Sequence, residues 1–210
     1  MRPYSSLAAA FAAALSSGCL AEPQSAPVQN GVQAARSDPR AVVPDRTQTE
    51  AGDARFIIDR GDRKLRVYRG DELIREEPVA VGRSRYPTPL GQWRFTRVDI
   101  NPEWIPPHSD WTRGRHREPP GSPANPMGRA RLLFDPPYSI HGTDDLASLG
   151  SAASHGSIRV SNEAVVALAE LLLKAGGSWE GPDWFRQKLN DHNRMYQIAL
   201  RDPVVIEVVA

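Results

Sequence analysis

The sequence predicts a mainly β domain with one or two helices packed on it. Three observations carry this prediction. Apolar and polar residues alternate along several short segments, as they do in half-buried strands. Proline is frequent, with 19 in 210 residues, which favours loops and short strands over a helical bundle. The clearest helical spacing of apolar residues is confined to one segment, residues 165–172.

The composition is that of a folded protein with almost no net charge. Hydrophobic residues make up 40% and charged residues 24%, which disfavours wholesale disorder and a multi-span membrane protein. Lysine and arginine number 26 against 25 acidic residues, so the sequence does not predict binding to nucleic acid through a large basic field. Cys19 is the sole cysteine, which excludes an intrachain disulfide and a cysteine-based metal site.

Residues 1–21 have the pattern of an export signal. Arg2 supplies the positive start, and residues 7–15 form an apolar run that is too short to span a bilayer. The small residues before Cys19 resemble the lipobox of bacterial lipoproteins, which predicts a lipid anchor on this cysteine. Cleavage after Ala21, with Cys19 discarded, is the alternative. Both alternatives place the protein in the periplasm or cell envelope.

Residues 22–53 are predicted to be a flexible tether, and residues 54–210 a single domain. The tether contains four prolines among mostly small and polar residues. Such a segment cannot bury enough apolar surface to offset the entropy lost on ordering. A tether after an export signal suits a domain that is held near a membrane and reaches into the envelope.

The first half of the domain is predicted to be rich in hairpins. Residues 55–59 and 64–69 are expected to be strands, and the turn at Gly70 leads into a third strand over residues 73–81. A rigid loop with two prolines follows at residues 86–91. Alternation resumes at residues 92–98 and predicts the next strand.

A long loop and two short strands are expected in the middle of the domain. Residues 99–128 contain seven prolines, and a loop of this length in a compact domain is usually functional. Trp104 and Trp111 lie in it and are candidates for a substrate lid. Residues 131–134 and 138–141 are short strand candidates on either side of a Pro-Pro turn.

Helices and closing strands complete the domain. Asn162 is predicted to cap the main helix, which ends at Gly176-Gly177. A shorter helix is expected from Pro182 to about residue 190. Residues 195–200 and 204–209 are predicted as two closing strands.

Two His-Gly pairs mark the candidate chemistry. The first contains His141, at the end of a predicted strand, and the second leads through Ser157 towards the main helix. His141 could act as general base on a Ser157 nucleophile, with the helix start stabilising an oxyanion and Arg159 pairing with a carboxylate. Each piece alone also fits a purely structural polar turn. His108 and His116 have no evident third ligand, so no metal site is predicted.

Together these residues resemble the catalytic domain of the L,D-transpeptidase (YkuD-like) family. The family signature is His-Gly, a spacer and then Ser-His-Gly-Cys-Ile-Arg-x-x-Asn. The positions that match it are His141, Gly142, Ser154, His155, Gly156, Ile158, Arg159 and Asn162. Further likeness lies in the segments 88–91, 101–107, 125–128 and 202–206. The resemblance covers about residues 54–209, while residues 180–193 resemble an insertion of unassigned role.

The resemblance implies a β-sandwich or barrel and an acyl transferase that acts on peptidoglycan stem peptides without a cofactor. In that family a cysteine thiolate attacks the carbonyl of an L-residue and passes the acyl group to an amine. By resemblance, His141 is the base, oriented by the carbonyl of Gly142. His155 and the backbone of Gly156 and Ser157 help to place the substrate and the oxyanion. The positions of Ser154, Arg159 and Asn162 belong to substrate binding.

One position departs from the family pattern, because Ser157 stands where the family has its cysteine. A serine hydroxyl is far less acidic than a thiol and depends on proton removal by a base. Ser157 could be a working nucleophile, used for transpeptidation or for cleaving cross-links with water. The domain could instead be a catalytically silent binding or scaffold protein. A third alternative is that the serine was introduced by engineering, which the retained export signal disfavours.

Overall fold

The computed structural model describes residues 54–210, which form ten strands and two helices. The predicted export signal, the tether and Cys19 lie outside the described residues. The strands are β1 (Ala54–Asp59), β2 (Lys64–Arg69), β3 (Glu72–Pro78), β4 (Val81–Gly82), β5 (Gly91–Ile100), β6 (Ala130–Asp135), β7 (Tyr138–Thr143), β8 (Ala152–Ser154), β9 (Ile158–Ser161) and β10 (Tyr196–Val209). The helices are α1 (Asn162–Ala175) and α2 (Pro182–Asn190).

Eight strands form one mixed sheet in the order β3-β2-β1-β10-β5-β6-β7-β9. The pairs β1/β10 and β7/β9 are parallel, and the other neighbours are antiparallel. The two outer strands approach each other, because Ala80, just after β3, exchanges two backbone hydrogen bonds of 2.9 Å with Arg159 of β9. The sheet is therefore nearly closed, and the predicted mainly β class is confirmed.

The core lies between the inner face of the sheet and α1. Alternation sends every second side chain of a strand inward, and Ile140, Ile158 and Val160 of β7 and β9 are fully buried. The buried face of α1 repeats at helical spacing. Its buried residues are Ala164, Val165, Leu168, Ala169, Leu172, Leu173 and Ala175.

Several predicted element boundaries were wrong. The strand predicted over residues 73–81 ends at Pro78, since the chain then crosses to bridge β9. The two closing strands are one strand, β10, with an irregularity between Ala199 and Val204 that absorbs the residues around Pro203. The short strands β8 and β9 were not predicted, because three or four residues are too few to show a period.

The cap of α1 is Ser161 and not the predicted Asn162. The hydroxyl of Ser161 accepts a hydrogen bond of 3.0 Å from the Ala164 N–H, the usual geometry of a serine cap. Asn162 is the first residue of the helix, and its amide is used elsewhere, as described below. Neither helix in residues 54–210 is long and apolar enough to cross a membrane.

Candidate active site

The register of β7 and β9 brings the proposed base and nucleophile onto one face of the sheet. His141 pairs directly with Arg159, and Ile140 pairs with Ile158. Since side chains alternate along a strand, the isoleucines enter the core and the polar residues face the other way. Ser157, just before β9, lies beside Ser139, whose N–H donates to its hydroxyl oxygen at 3.3 Å. Ser139, His141, Ser157 and Arg159 are called the floor below.

His141 is buried, with 4% of its surface exposed. Its Nδ1 lies 2.9 Å from the carbonyl oxygen of Gly142. A carbonyl can only accept, so Nδ1 carries the proton and Nε2 carries the lone pair of the neutral ring. Burial lowers the pKa of His141 to about 4, and the charges of Arg159 and Arg131 act in the same direction, against the hydrogen bond to Gly142. The imidazole is therefore neutral at physiological pH.

The turn that carries Ser157 is fixed by side-chain hydrogen bonds. Ser154 Oγ donates to the Ser157 carbonyl at 2.5 Å and accepts from the Gly156 N–H at 3.1 Å. Thr88 Oγ1 donates to the Gly156 carbonyl at 2.8 Å and accepts from the Gly82 N–H at 2.9 Å. The turn is thus bound both to itself and to the loop after β4.

Gly156 has a further role in this turn. Its φ is +109°, in the region that favours glycine. A Cβ at this position would lie 2.7 Å from the ring of Tyr138. The glycine of the second His-Gly pair is therefore required both by the backbone conformation and by the close approach of β7.

The expected oxyanion role of the α1 N-terminus is wrong. The four residues of β9 separate Ser157 from the helix, and four extended residues span about 13 Å. A helix terminus influences charge only within its first turn. The helix start therefore lies at the opposite end of β9 from Ser157.

Asn162 holds the first His-Gly pair against the chain before β6. Its Oδ1 accepts from the Arg129 N–H at 2.9 Å, and its Nδ2 donates to Asp144 at 2.6 Å. A Cβ on Gly128 or Gly142 would lie 2.2 or 2.3 Å from the same oxygen. Asn162 is consequently a packing residue of the backbone beside His141, and not a residue of the floor.

His155 faces a different environment, the rim, which we define as Arg83, Tyr86, Trp111 and His155. The ring of Trp111 stacks on His155 with centroids 3.9 Å apart and an angle of 15°, and Tyr86 packs at 5.1 Å. The Arg83 guanidinium contacts His155 Nε2. Partial burial lowers the pKa of His155, and Arg83 and Arg159 lower it further.

Trp111 reaches the rim from the flap, residues 101–129, which connects β5 to β6. Two backbone hydrogen bonds of 2.9 Å join Trp104 and Glu118 across the flap. Trp104 is 7% exposed and packs 6.5 Å from Trp111. The long loop predicted from its prolines therefore approaches the site through one of the two tryptophans singled out in it.

The rim and Arg159 make the mouth of the site positive. Arg83, Arg85, Tyr86, Asp110 and Trp111 line one open cavity. Arg83 and Arg85 both lie over the Tyr86 ring, at 5.3 and 5.6 Å. Arg159 lies 3.7 Å from Asp145, too far for a hydrogen bond. These guanidinium groups could receive a carboxylate.

Two charged residues near His141 were not identified from the sequence. Arg131 of β6 pairs directly with His141, and Asp99 of β5 pairs directly with Arg131. The Asp99 carboxylate is completely buried and accepts from Arg131 Nε and Nη2 at 3.0 and 2.6 Å. No local sequence pattern marks this pair, because it depends on the register of β5, β6 and β7.

Residues 180–193 support the base of the flap. They contain α2, and the Asn101 amide donates to the carbonyls of Lys188 and Asp191 at 2.9 Å each. The Arg129 guanidinium donates to the Leu189 carbonyl. Within residues 54–210, no group of three or more metal-binding side chains is gathered in one place.

Comparison with protein families gives a match to the YkuD model, the L,D-transpeptidase catalytic domain, over residues 53–206. YkuD of Bacillus licheniformis, which carries the name of an L,D-transpeptidase, is 33% identical over 119 residues, 56% of this chain and 59% of that protein. YqjB of Bacillus subtilis, named likewise, is 29% identical over 74% of this chain and 82% of that protein.

The match to a third relative is shorter. YbiS of Escherichia coli K12, also named as an L,D-transpeptidase, is 29% identical over 55% of this chain and 40% of that protein. The chain thus spans 59% and 40% of YkuD and YbiS. Among solved structures, an L,D-transpeptidase from Mycobacterium smegmatis gives a TM-score of 0.43 at 20% identity, covering 75% of this chain and 59% of that one.

Proposed function

Because the chain belongs to the L,D-transpeptidase catalytic domain family, we propose that it transfers acyl groups of peptidoglycan stem peptides through an ester on Ser157. The observation that carries the proposal is the register of β7 and β9, which sets Ser157 and His141 on one face of the sheet. They are diagonal neighbours on adjacent strands, a spacing that side chains can bridge. The family resemblance supplies the substrate class.

The neutral His141 is suited to take the proton of Ser157. Its Nδ1–H is engaged with the Gly142 carbonyl, so Nε2 carries the free lone pair. The Ser157 oxygen already accepts the Ser139 N–H, which leaves its own hydrogen available for donation. Transfer of that hydrogen to His141 during the attack avoids a free alkoxide. A serine nucleophile requires such a transfer.

The reaction then follows from this pair. Ser157 Oγ bonds to the carbonyl carbon of the L-residue while its proton passes to His141. The tetrahedral intermediate collapses, the C–N bond breaks, and His141 returns the proton to the departing amine. An acceptor amine attacks the resulting ester and gives its proton to His141. His141 passes that proton to Ser157 Oγ as the ester C–O bond breaks, which regenerates the serine. Water in place of that amine gives hydrolysis.

Substrate and oxyanion are assigned to the neighbouring groups. The Gly156 N–H is engaged with Ser154, so we assign the oxyanion to the N–H of Ser157 itself. Stem peptides carry carboxylates, and Arg159 and Arg83 offer guanidinium groups at the mouth of the site. Planar guanidinium groups bind carboxylates in paired hydrogen bonds.

Mass spectrometry of the purified protein incubated with a disaccharide-tetrapeptide tests the proposal. We expect an acyl adduct on Ser157, together with a cross-linked or trimmed product, and neither with the matched Ser157→Ala variant. A trimmed or cleaved product alone would identify a hydrolase. Measurable binding with unchanged substrate would contradict catalysis and identify a binding module.

Ser157→Cys tests whether the site is competent. This change restores the family nucleophile in its own surroundings, and a thiolate forms far more readily than an alkoxide. We expect a thiol that reacts quickly with thiol reagents and a variant that turns over tetrapeptide. If the wild type is already an enzyme, the rate changes and the activity is not new. A folded variant with an unreactive thiol and no turnover would contradict the catalytic proposal.

We also propose that the protein is exported and tethered in the cell envelope, on the basis of its first 53 residues. If Cys19 carries a lipid, Cys19→Ala moves the protein from the membrane fraction to the soluble fraction. A mature N-terminus that begins at Glu22 would exclude lipidation, because the cysteine would then have been removed.

A further inference from the structure

We propose that Asp99 is a positioning residue for the proposed base His141, because it binds the Arg131 guanidinium that lies between them and compensates its charge. The inference rests on the proposed function in one respect, the role of His141 as base. The geometry that carries it lies in the sheet and is independent of the substrate.

Four charged or titratable residues form one row across four adjacent strands. Asp99 of β5 pairs with Arg131 of β6, Arg131 pairs with His141 of β7, and His141 pairs with Arg159 of β9. Directly paired residues send their side chains to the same face. The face opposite this row is the apolar core, so the row is the polar side of the sheet under the site.

The first ion pair of the row is tight and buried. Both Nε and Nη2 of Arg131 donate to Asp99 Oδ2, at 3.0 and 2.6 Å. Arg97 Nε lies 2.7 Å from the other oxygen of this carboxylate. Asp99 is fully buried, and a buried charge requires such compensation. The positive charge of Arg131 is therefore compensated by the Asp99 carboxylate.

The ion pair at the other end of the row, between Arg159 and Asp145, is loose. Arg159 lies 3.7 Å from Asp145, whose side chain is 58% exposed. The charged groups facing His141 are thus Arg131 from β6 and Arg159 from β9, while the flap contributes the Pro126 carbonyl. The guanidinium of Arg131 is compensated inside the protein, and the guanidinium of Arg159 remains available to an anionic substrate.

This asymmetry matters when His141 becomes positively charged. Proton transfer from Ser157 turns the imidazole into an imidazolium between two guanidinium groups, and like charges at this range oppose its formation. The Asp99 carboxylate offsets the charge of Arg131, one of these two arginines. Without Asp99, both arginines would act against the imidazolium, and His141 would be a weaker base.

NMR titration of the His141 ring tests the inference without requiring activity. The proteins are the full chain and its Asp99→Asn, Arg131→Gln and Arg97→Gln variants. We expect Asp99→Asn to lower the midpoint by about one pH unit and Arg131→Gln to raise it by a similar amount. Arg97→Gln is the matched control, because it removes a charge from the same carboxylate on β5 itself, and its shift should be the smallest.

The opposite signs separate electrostatics from disruption. A loosened structure would let water reach His141 and raise its midpoint in both variants. A raised midpoint in Asp99→Asn would therefore overturn the inference. If Asp99→Asn does not fold, Arg131→Gln provides the test. An unchanged His141 midpoint in Arg131→Gln would also overturn the inference. These outcomes stand even if the protein turns over no stem peptide, which would refute the proposed function alone.

Discussion

The two histidines of the site stand in contrasting surroundings. His141 lies within a strand of the floor, buried, with its Nδ1 held by a backbone carbonyl. His155 lies in the rim, where it is held by the side chains of Trp111 and Arg83. One ring is positioned by the sheet and the other by long side chains from separate loops.

This contrast separates two kinds of function. Catalytic groups require a geometry fixed to within a fraction of an ångström, which strands supply better than loops. Recognition of an extended, charged substrate needs reach and aromatic surface, which the rim supplies. We therefore expect changes in the floor to act on the chemical step or on folding, and changes in the rim to act mainly on substrate affinity.

The largest effect is expected from His141→Gln. Removing a general base costs about 100- to 10,000-fold in rate, because Ser157 then has no acceptor for its proton. Steady-state kinetics on tetrapeptide should show the loss in kcat, with circular dichroism unchanged. If His141→Gln kept wild-type kcat, the base would lie elsewhere, with His155 the next candidate, and the contrast between floor and rim would fail.

The stability of the protein should depend on pH through His141. The pKa of His141 is about 4 in the folded protein and about 6.5 when unfolded. Because the folded value is the lower one, the stabilisation is complete above about pH 6.5 and is lost as the pH falls towards 4. A difference of this size corresponds to about 3 kcal/mol.

Urea denaturation at several pH values measures that contribution. The free energy of unfolding of the wild type, compared with His141→Gln, should fall by about 3 kcal/mol more between pH 7 and 4. Taking the difference cancels the titration of carboxylates common to both proteins. Parallel curves for the two proteins would mean that His141 is not buried in its neutral form.

The floor was largely predictable from the sequence, and the assembly of the rim was not, although His155 and Trp111 were each predicted to lie near the substrate. His141, Ser157 and Arg159 stand in two local motifs, and each motif lies on or beside one of two paired strands. The rim joins residues that lie far apart in the chain, Arg83, Trp111 and His155, so no local pattern links them. Asp99 was missed for a related reason, since its place beside Arg131 and near His141 depends on the register of three strands.

The error about the α1 N-terminus has a physical cause as well. A strand of four residues has no detectable period, so the chain between Ser157 and the predicted cap at Asn162 was not recognised as the extended strand β9. The cap itself was predicted one residue late. The true cap, Ser161, is the last residue of β9, and the amide of Asn162 is engaged with Arg129 and Asp144.

Gly142→Ala tests how tightly the backbone beside His141 is packed. The new Cβ would lie 2.3 Å from Asn162 Oδ1 and displace the amide that binds the Arg129 N–H. Overpacking of this kind costs about 1–3 kcal/mol. Gly61→Ala is the matched control, because its nearest neighbour would be 3.4 Å away. Equal thermal stability of the two variants would show that the backbone beside His141 is more adaptable than its contacts indicate.

The smallest effect is expected in the rim, from Trp111→Ala. Trp111 stacks on His155 at 3.9 Å, and such a contact contributes about 0.5–1.5 kcal/mol, or roughly 2- to 12-fold in an equilibrium constant. Since His155 lies outside the proton path proposed for Ser157 and His141, the loss should appear in KM and leave kcat close to wild type. Trp111→Phe, which keeps an aromatic ring over His155, should recover most of the affinity. A fall in kcat that matched that of His141→Gln would show that the rim takes part in the chemical step, and the division between a catalytic floor and a binding rim would have to be abandoned.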